Sequence, residues 1–188
     1  MLALAGVFLI VLVVVVVVIA LAMMGLYNSL VQARVACDTA WSNIDVQLKR
    51  RHDLIPNLVE TVKGYATHEK TTLEDITKYR AMAMQATTPA DKAAAENQLS
   101  SSLKTLFAVA ENYPDLKASQ QFTQLQGALS QTEDSIQGSR SGYNAAVQNL
   151  NTRVQSFPAS ILAGMFGFQQ RQFFEVAATD REPVAVKF

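Results

Sequence analysis

Side chains that commonly carry chemistry are scarce in this sequence, and their spacing excludes most of what they could do. There are two histidines, His52 and His68, and one cysteine, Cys37. His68-Glu69 opens like a zinc-protease motif, but Thr72 stands where the second histidine of H-E-x-x-H would be. A di-iron helical site needs a Glu three residues before a His, and Lys49 and Tyr65 occupy those places. No G-x-S-x-G elbow, phosphate-binding loop or dinucleotide fingerprint occurs. Cys37 could serve as a nucleophile, yet its place on an apolar stripe near Trp41 reads as core. The chain is therefore expected to have no catalytic activity, no bound cofactor and no metal.

Charge narrows the partners. Sixteen Lys and Arg balance sixteen Asp and Glu, all of them outside the first twenty-six residues. Phosphate backbones are held by concentrated basic faces, so nucleic acid is not an expected partner. A single cysteine allows no intramolecular disulfide.

What positions the remaining residues begins with residues 1–26, which carry no charged side chain and include six consecutive valines, Val13 to Val18. About 20 apolar residues suffice to cross a bilayer core, and a lone spanning segment must be helical because lipid offers its backbone no partners. Ala20 and Ala22 resemble a signal-peptidase site, but no basic region precedes them and the apolar run is too long for a leader. The segment from Leu2 through Val13 and Val18 to Leu26 is read as an uncleaved anchor in the lipid bilayer. Arg34, Lys49, Arg50 and Arg51 follow it, so the positive-inside rule leans the soluble part towards the cytoplasm.

The rest reads as helices, with 27–157 forming the bundle and 158–188 a distinct C-terminal segment. Leu30, Cys37, Trp41, Ile44 and Leu48 recur at three- and four-residue steps and mark the first helix, 27–52. Lys49-Arg50-Arg51-His52 suits a helix C-terminus, Asp53 a cap and Pro56 a first turn. The same stripe continues in register through Ile55, Leu58, Val62, Tyr65, Glu69 and Ile76, as a single helix kinked at Pro56 would allow. Matching the lengths of the segments favours a hairpin at His52–Pro56, followed by helices at 54–86, 89–112 and 114–157. Thr88 and Pro89 suit the start of the third. The fourth carries Phe122, Leu125, Leu129, Ile136, Tyr143, Val147, Leu150, Val154 and Phe157, a seven-residue repeat typical of left-handed packing. The expected architecture is all-α, an N-terminal transmembrane helix running into an antiparallel up-and-down four-helix bundle.

Some polar residues fall on these stripes. Arg140 precedes Val147 by seven residues, and Glu69 lies between Val62 and Ile76. Because an unpaired buried charge costs several kcal/mol, Arg140 is expected to pair with Glu69 or Glu111 and set register, or else to snorkel to solvent at a stripe edge. Tyr113-Pro114-Asp115 and Tyr143-Asn144 read as a turn and a core tyrosine rather than as a binding site. Beyond Pro158, Ile161, Leu162, Met165, Phe166, Phe168, Phe173 and Phe174 form a segment too apolar for a free tail and too short to span. A fourth helix returning to the membrane would bring Phe166, Phe168, Phe173 and Phe174 to the lipid surface or to a neighbouring subunit, unless they pack within the bundle. Pro183 to Phe188 alternates like a short extended strand.

The stretches Trp41-Ser-Asn-Ile-Asp45, Gln47-Leu-Lys-Arg-Arg51, Asp53-Leu-Ile-Pro-Asn-Leu58 and Val62-Lys-Gly-Tyr65 resemble the signature of the LemA family. So do Glu111-Asn-Tyr-Pro-Asp-Leu-Lys-Ala118, Arg140-Ser-Gly-Tyr-Asn144 and Phe173-Phe-Glu175. The resemblance implies a bacterial envelope protein with one N-terminal membrane helix and an antiparallel helical bundle. It implies no agreed activity, and a magnetosome-associated branch of the family is linked to membrane invagination. Two functions fit: a scaffold that forms homo-oligomers and shapes or organises membrane, or a monomeric adaptor presenting its bundle to another envelope protein such as a membrane protease.

Overall fold

In the computed structural model the described residues are 2–66 and 68–174, and all their regular structure is helical. Helix α1 runs Leu2–Lys63, α2 Lys70–Gln85, α3 Pro89–Ala110, α4 Pro114–Ala118, α5 Gln120–Gln155 and α6 Ala159–Phe166. Glu175 and the strand-like Pro183–Phe188 lie outside the described residues. Two compact units divide the chain, one of residues 1–39 and 145–171, the other of residues 40–144 and 172–188, so α1 and α5 contribute to both.

The first unit contains the apolar part of α1. From Val7 to Met24 its large side chains stand exposed, and its mean hydropathy reaches 3.6 with none of that window buried. It is long and apolar enough to cross a membrane. Burial begins near Leu26, where Leu26, Leu30 and Val31 meet Val154, Ala159, Leu162, Ala163 and Phe168. Gly167, with φ +70°, ends α6 in the left-handed region that glycine adopts without strain, and the Phe168 N–H closes onto the Ala163 carbonyl at 2.9 Å.

In the second unit, α1, α2, α3, α4 and α5 share one apolar core. Ile55, Leu58 and Val62 from α1 meet Leu73 and Ile76 from α2, Leu99, Leu103 and Leu106 from α3, Leu116 from α4, and Phe122 and Leu129 from α5. Each set has the three- or four-residue spacing that puts side chains on one helical face. Thr88 caps α3 by accepting from the Asp91 N–H at 3.1 Å, with Pro89 in the first turn. Pro114 starts only the five-residue α4, so α5 begins six residues later than the sequence suggests. Phe122, Leu129, Ile136 and Tyr143 are buried, and so are Val147 and Leu150 within the first unit, whereas Phe157 stands 81% exposed.

The expected hairpin at His52–Pro56 is absent. Helix α1 passes through Pro56 and ends at Lys63, where Gly64 and Tyr65 turn the chain and the Tyr65 and Ala66 N–H groups both reach the Val62 carbonyl. A proline without an N–H strands the carbonyl four residues before it, here that of His52. Arg80 Nε from α2 donates to that oxygen at 2.8 Å. The lost helical bond is thus replaced from another helix, which removes the main penalty for continuing. Arg51 and His52, read as charges at a helix C-terminus, lie within α1 and are both buried.

Replacing Arg80 with Met should therefore destabilise the protein by about 1–3 kcal/mol, the cost of a buried acceptor left unpaired. In a Pro56→Ala background, where the helix bond is restored, the same change should cost less than half as much. Chemical denaturation of the four proteins of this cycle checks it, and equal costs in both backgrounds would contradict the role given to Arg80.

Candidate functional site

The polar groups of the second unit gather at two places. At the first, Arg51 of α1 is 1% exposed and is held by three acceptors. Its Nη2 donates to Glu96 Oε2 of α3, and its Nη1 donates to Ser100 Oγ at 2.8 Å and to Glu133 Oε2 of α5 at 2.5 Å. Glu96 is fully buried, and its other oxygen meets His52 Nε2 at 2.8 Å. Burial lowers the Arg51 pKa to about 10, opposed by Glu133 and assisted by the positive charge of Arg140, so the guanidinium stays charged near neutrality. Burial also lowers His52 to about 4, and the charges of Arg51, Arg80 and Lys92 push the same way. His52 is therefore neutral at neutral pH and donates its Nε2–H to Glu96.

The second place joins motifs distant in sequence. Trp41 packs edge-on against Tyr143, ring centroids 5.2 Å apart, and lies 6.1 Å from Phe174. Lys92 of α3 sits 5.2 Å from the Trp41 ring and pairs with Asp45 at 2.6 Å. From α5, Asn144 holds Phe174 at both backbone groups: its amide donates to the Phe174 carbonyl at 3.0 Å, and its oxygen accepts from the Phe174 N–H at 2.8 Å. Tyr143 donates to the Gln172 carbonyl at 3.0 Å, and the Arg140 guanidinium lies 4.7 Å from the Phe174 ring centroid. An extended peptide has no helical partners of its own, and these side chains supply them.

The expected pairing of Arg140 with Glu69 or Glu111 does not form. Glu69 accepts from the Tyr113 hydroxyl at 2.9 Å, and Glu111 pairs with Lys117. Both acids lie near the α3–α4 turn, close to the level of Phe122, and Arg140 is about 27 Å further along α5. Buried instead over Phe174, Arg140 does not snorkel to solvent either. Of the four phenylalanines expected at a lipid or subunit surface, Phe174 is fully buried and Phe168 only 8% exposed, because each fills a protein core. Phe166 and Phe173 remain 56% and 44% exposed. Leu2 begins α1, Val13 and Val18 stand uncovered on it, and Leu26 marks where burial starts.

The Arg51–Glu96–Glu133 cluster was missed, although its register could have revealed it. Arg51 lies three residues after Leu48 and four before Ile55, Glu96 three before Leu99, and Glu133 four after Leu129. Each occupies a core position of its helix. Cys37 is fully buried, and burial raises its pKa, the reverse of what activates a thiol. Among the described residues no three His, Cys, Asp or Glu side chains are placed to share a metal ion.

Both places hold helices and an extended segment together, within an all-helical protein that begins with a long uncovered apolar helix. The sequence pattern of the LemA family matches residues 40–188, and the chain belongs to that family. Protein LemA of Metamycoplasma hominis is 26% identical over 165 residues, spanning 86% of this chain and 74% of the relative. Magnetosome protein MamQ 2 of Paramagnetospirillum magneticum is 23% identical over 184 residues, spanning 84% of this chain and 68% of the relative. Magnetosome protein MamQ of Magnetospirillum gryphiswaldense is 22% identical over the same shares.

The His52 pKa fixes the sign of a pH effect. As pH falls from 6.5 towards 4 the unfolded chain takes up a proton that native His52 refuses, so stability falls across that window and is fully present above it. The loss should amount to at most about 3 kcal/mol. In His52→Gln, which keeps an N–H donor for Glu96, denaturation at pH 7 and pH 4.5 should show a drop smaller by about 2 kcal/mol. An unchanged drop would contradict a neutral buried His52.

Proposed function

We propose that this protein is a non-catalytic, single-pass membrane scaffold of the bacterial envelope that self-associates and organises or remodels the bilayer on which it stands. The observation that carries the proposal is the uncovered apolar start of α1, continuous with a helix whose last turns enter a polar-locked core. Relatives named as magnetosome proteins support a role at a membrane-bounded structure. The buried acids and bases neutralise one another and Cys37 is enclosed, an arrangement suited to holding shape rather than to turnover. The helices of the soluble part are proposed to pack as an antiparallel bundle on the cytoplasmic side, with Lys49 and Arg50 exposed after the span.

One observation favours the alternative of a monomeric adaptor for another envelope protein, such as a membrane protease. Late α1 and α2 line an open groove of about 720 Å³, apolar at Val59, Ala66 and Leu73 and charged at Lys63, Lys70, Lys78 and Glu74, the last paired with Lys70. Cross-linking and size analysis of the detergent-extracted full-length protein, with imaging of vesicles that contain it, separates the two readings. Oligomers and deformed vesicles are expected, whereas a strict monomer that leaves vesicles unchanged would overturn the scaffold. Protease added to intact cells and to spheroplasts should leave the domain uncut in both, and cleavage in spheroplasts would place it outside the cytoplasm.

A further inference from the structure

Helix α6 has two apolar faces and only one is covered. Leu162 and Ala163 pack, with Phe168, against Leu26, Leu30 and Val31 of α1. On the other side Ile161 and Met165, spaced by four residues, stand 56% and 68% exposed; Phe157, just before the helix, is 81% exposed, and Phe166, at its end on the side of Leu162, is 56% exposed. No charged residue occurs between Arg153 and Arg171. Water is a poor solvent for such a face, and single scattered apolar residues do not account for a contiguous row.

The depth of this row is set within the first unit. The wholly apolar stretch of α1 ends at Leu26, and Tyr27, Asn28 and Ser29 follow it. Tyrosines favour the headgroup level of a bilayer, because the ring tolerates acyl chains while the hydroxyl stays wet. The Tyr27 ring lies 4.9 Å from Phe166 and 5.8 Å from Phe168, centroid to centroid. The α1 residues that α6 covers, Leu26, Leu30 and Val31, fall within about 8 Å of the end of the apolar stretch along the helix axis. Cations follow: Arg153 bonded to Ser29 and Arg34 over Phe168 at 5.1 Å, about 5 and 12 Å past Leu26 along α1. Interfacial helices bury one face about 5–10 Å into the headgroup and upper acyl region, with basic residues at the phosphate level.

We propose that α6 is an interfacial foot: Ile161 and Met165 on its open side, with Phe157 before the helix and Phe166 at its end, insert into the bilayer beside the span, and the lipid is the missing cover of this side. This rests on reading the start of α1 as a membrane anchor. Within the full chain, a Cys37→Ala background with a single added cysteine at Met165, Val13 or Met84 allows an environment-sensitive fluorophore to be placed at each. In vesicles of phosphatidylethanolamine and phosphatidylglycerol, lipids with a nitroxide high on the acyl chain should quench the Met165→Cys label within about two-fold of the Val13→Cys label. The Met84→Cys label, exposed on α2, should be quenched at least about three-fold less.

Quenching at Val13→Cys without quenching at Met165→Cys overturns the foot and leaves the anchor standing. Absence of quenching at both overturns the two together. A Met165→Cys label shielded from aqueous acrylamide yet unquenched by lipid would mean that a second copy or another protein covers the face, and also overturns the proposal.

Discussion

A proline inside an α-helix leaves one carbonyl without its partner, and in this protein the fate of that carbonyl decides the architecture. The His52 oxygen freed by Pro56 is taken by Arg80 from α2, so α1 continues for two more turns and ends at Lys63. Without that bond a turn at Pro56 would be the cheaper outcome. With it, one helix contributes uncovered apolar side chains at its start and core side chains at its end. After Leu26 about 55 Å of α1 remain, close to the length of the 36-residue α5.

Polar residues on the inner faces follow the same logic of replacement. Arg51 costs several kcal/mol to bury alone, and Glu96, Glu133 and Ser100 from two other helices bond both of its terminal nitrogens. Breaking any of these contacts leaves a charge in an apolar setting, so the cluster restricts which helices can meet and in what register. Asn144 does for the backbone of Phe174 what a neighbouring strand would do, and Trp41 and Arg140 pack against its ring. The sequence motifs that mark the family at Trp41–Asp45, Arg140–Asn144 and Phe173–Phe174 are thus parts of one packing arrangement.

Local patterns were readable wherever the deciding interaction was local. The apolar run to Leu26, the Thr88–Pro89 start of α3 and the buried repeat Phe122, Leu129, Ile136, Tyr143 all follow from neighbouring residues. Pro56 was not readable because its compensating donor lies on another helix. Arg140 was misassigned because Glu69 and Glu111 share its kind of position but not its level along the helices, and periodicity carries no information about level. Glu96 and Glu133 are legible in register, but an acid at a helix position facing the core does not reveal which basic residue on another helix will meet it. For Phe174 the sequence leaves surface and core both open, because a short apolar segment does not reveal which of its side chains will find an asparagine to fix its backbone.

The continuity of α1 through Pro56 is the point on which the rest turns, and a distance across it tests it directly. In a Cys37→Ala background, spin labels at Val46→Cys and Lys63→Cys, both exposed on α1, flank the proline. An unbroken helix holds these backbones about 26 Å apart, and pulsed dipolar spectroscopy of the detergent-solubilised full chain should give a single narrow distribution near that value. A hairpin at His52–Pro56 would bring them to about 10 Å, the spacing of packed antiparallel helices, and a population at that distance would contradict a continuous α1.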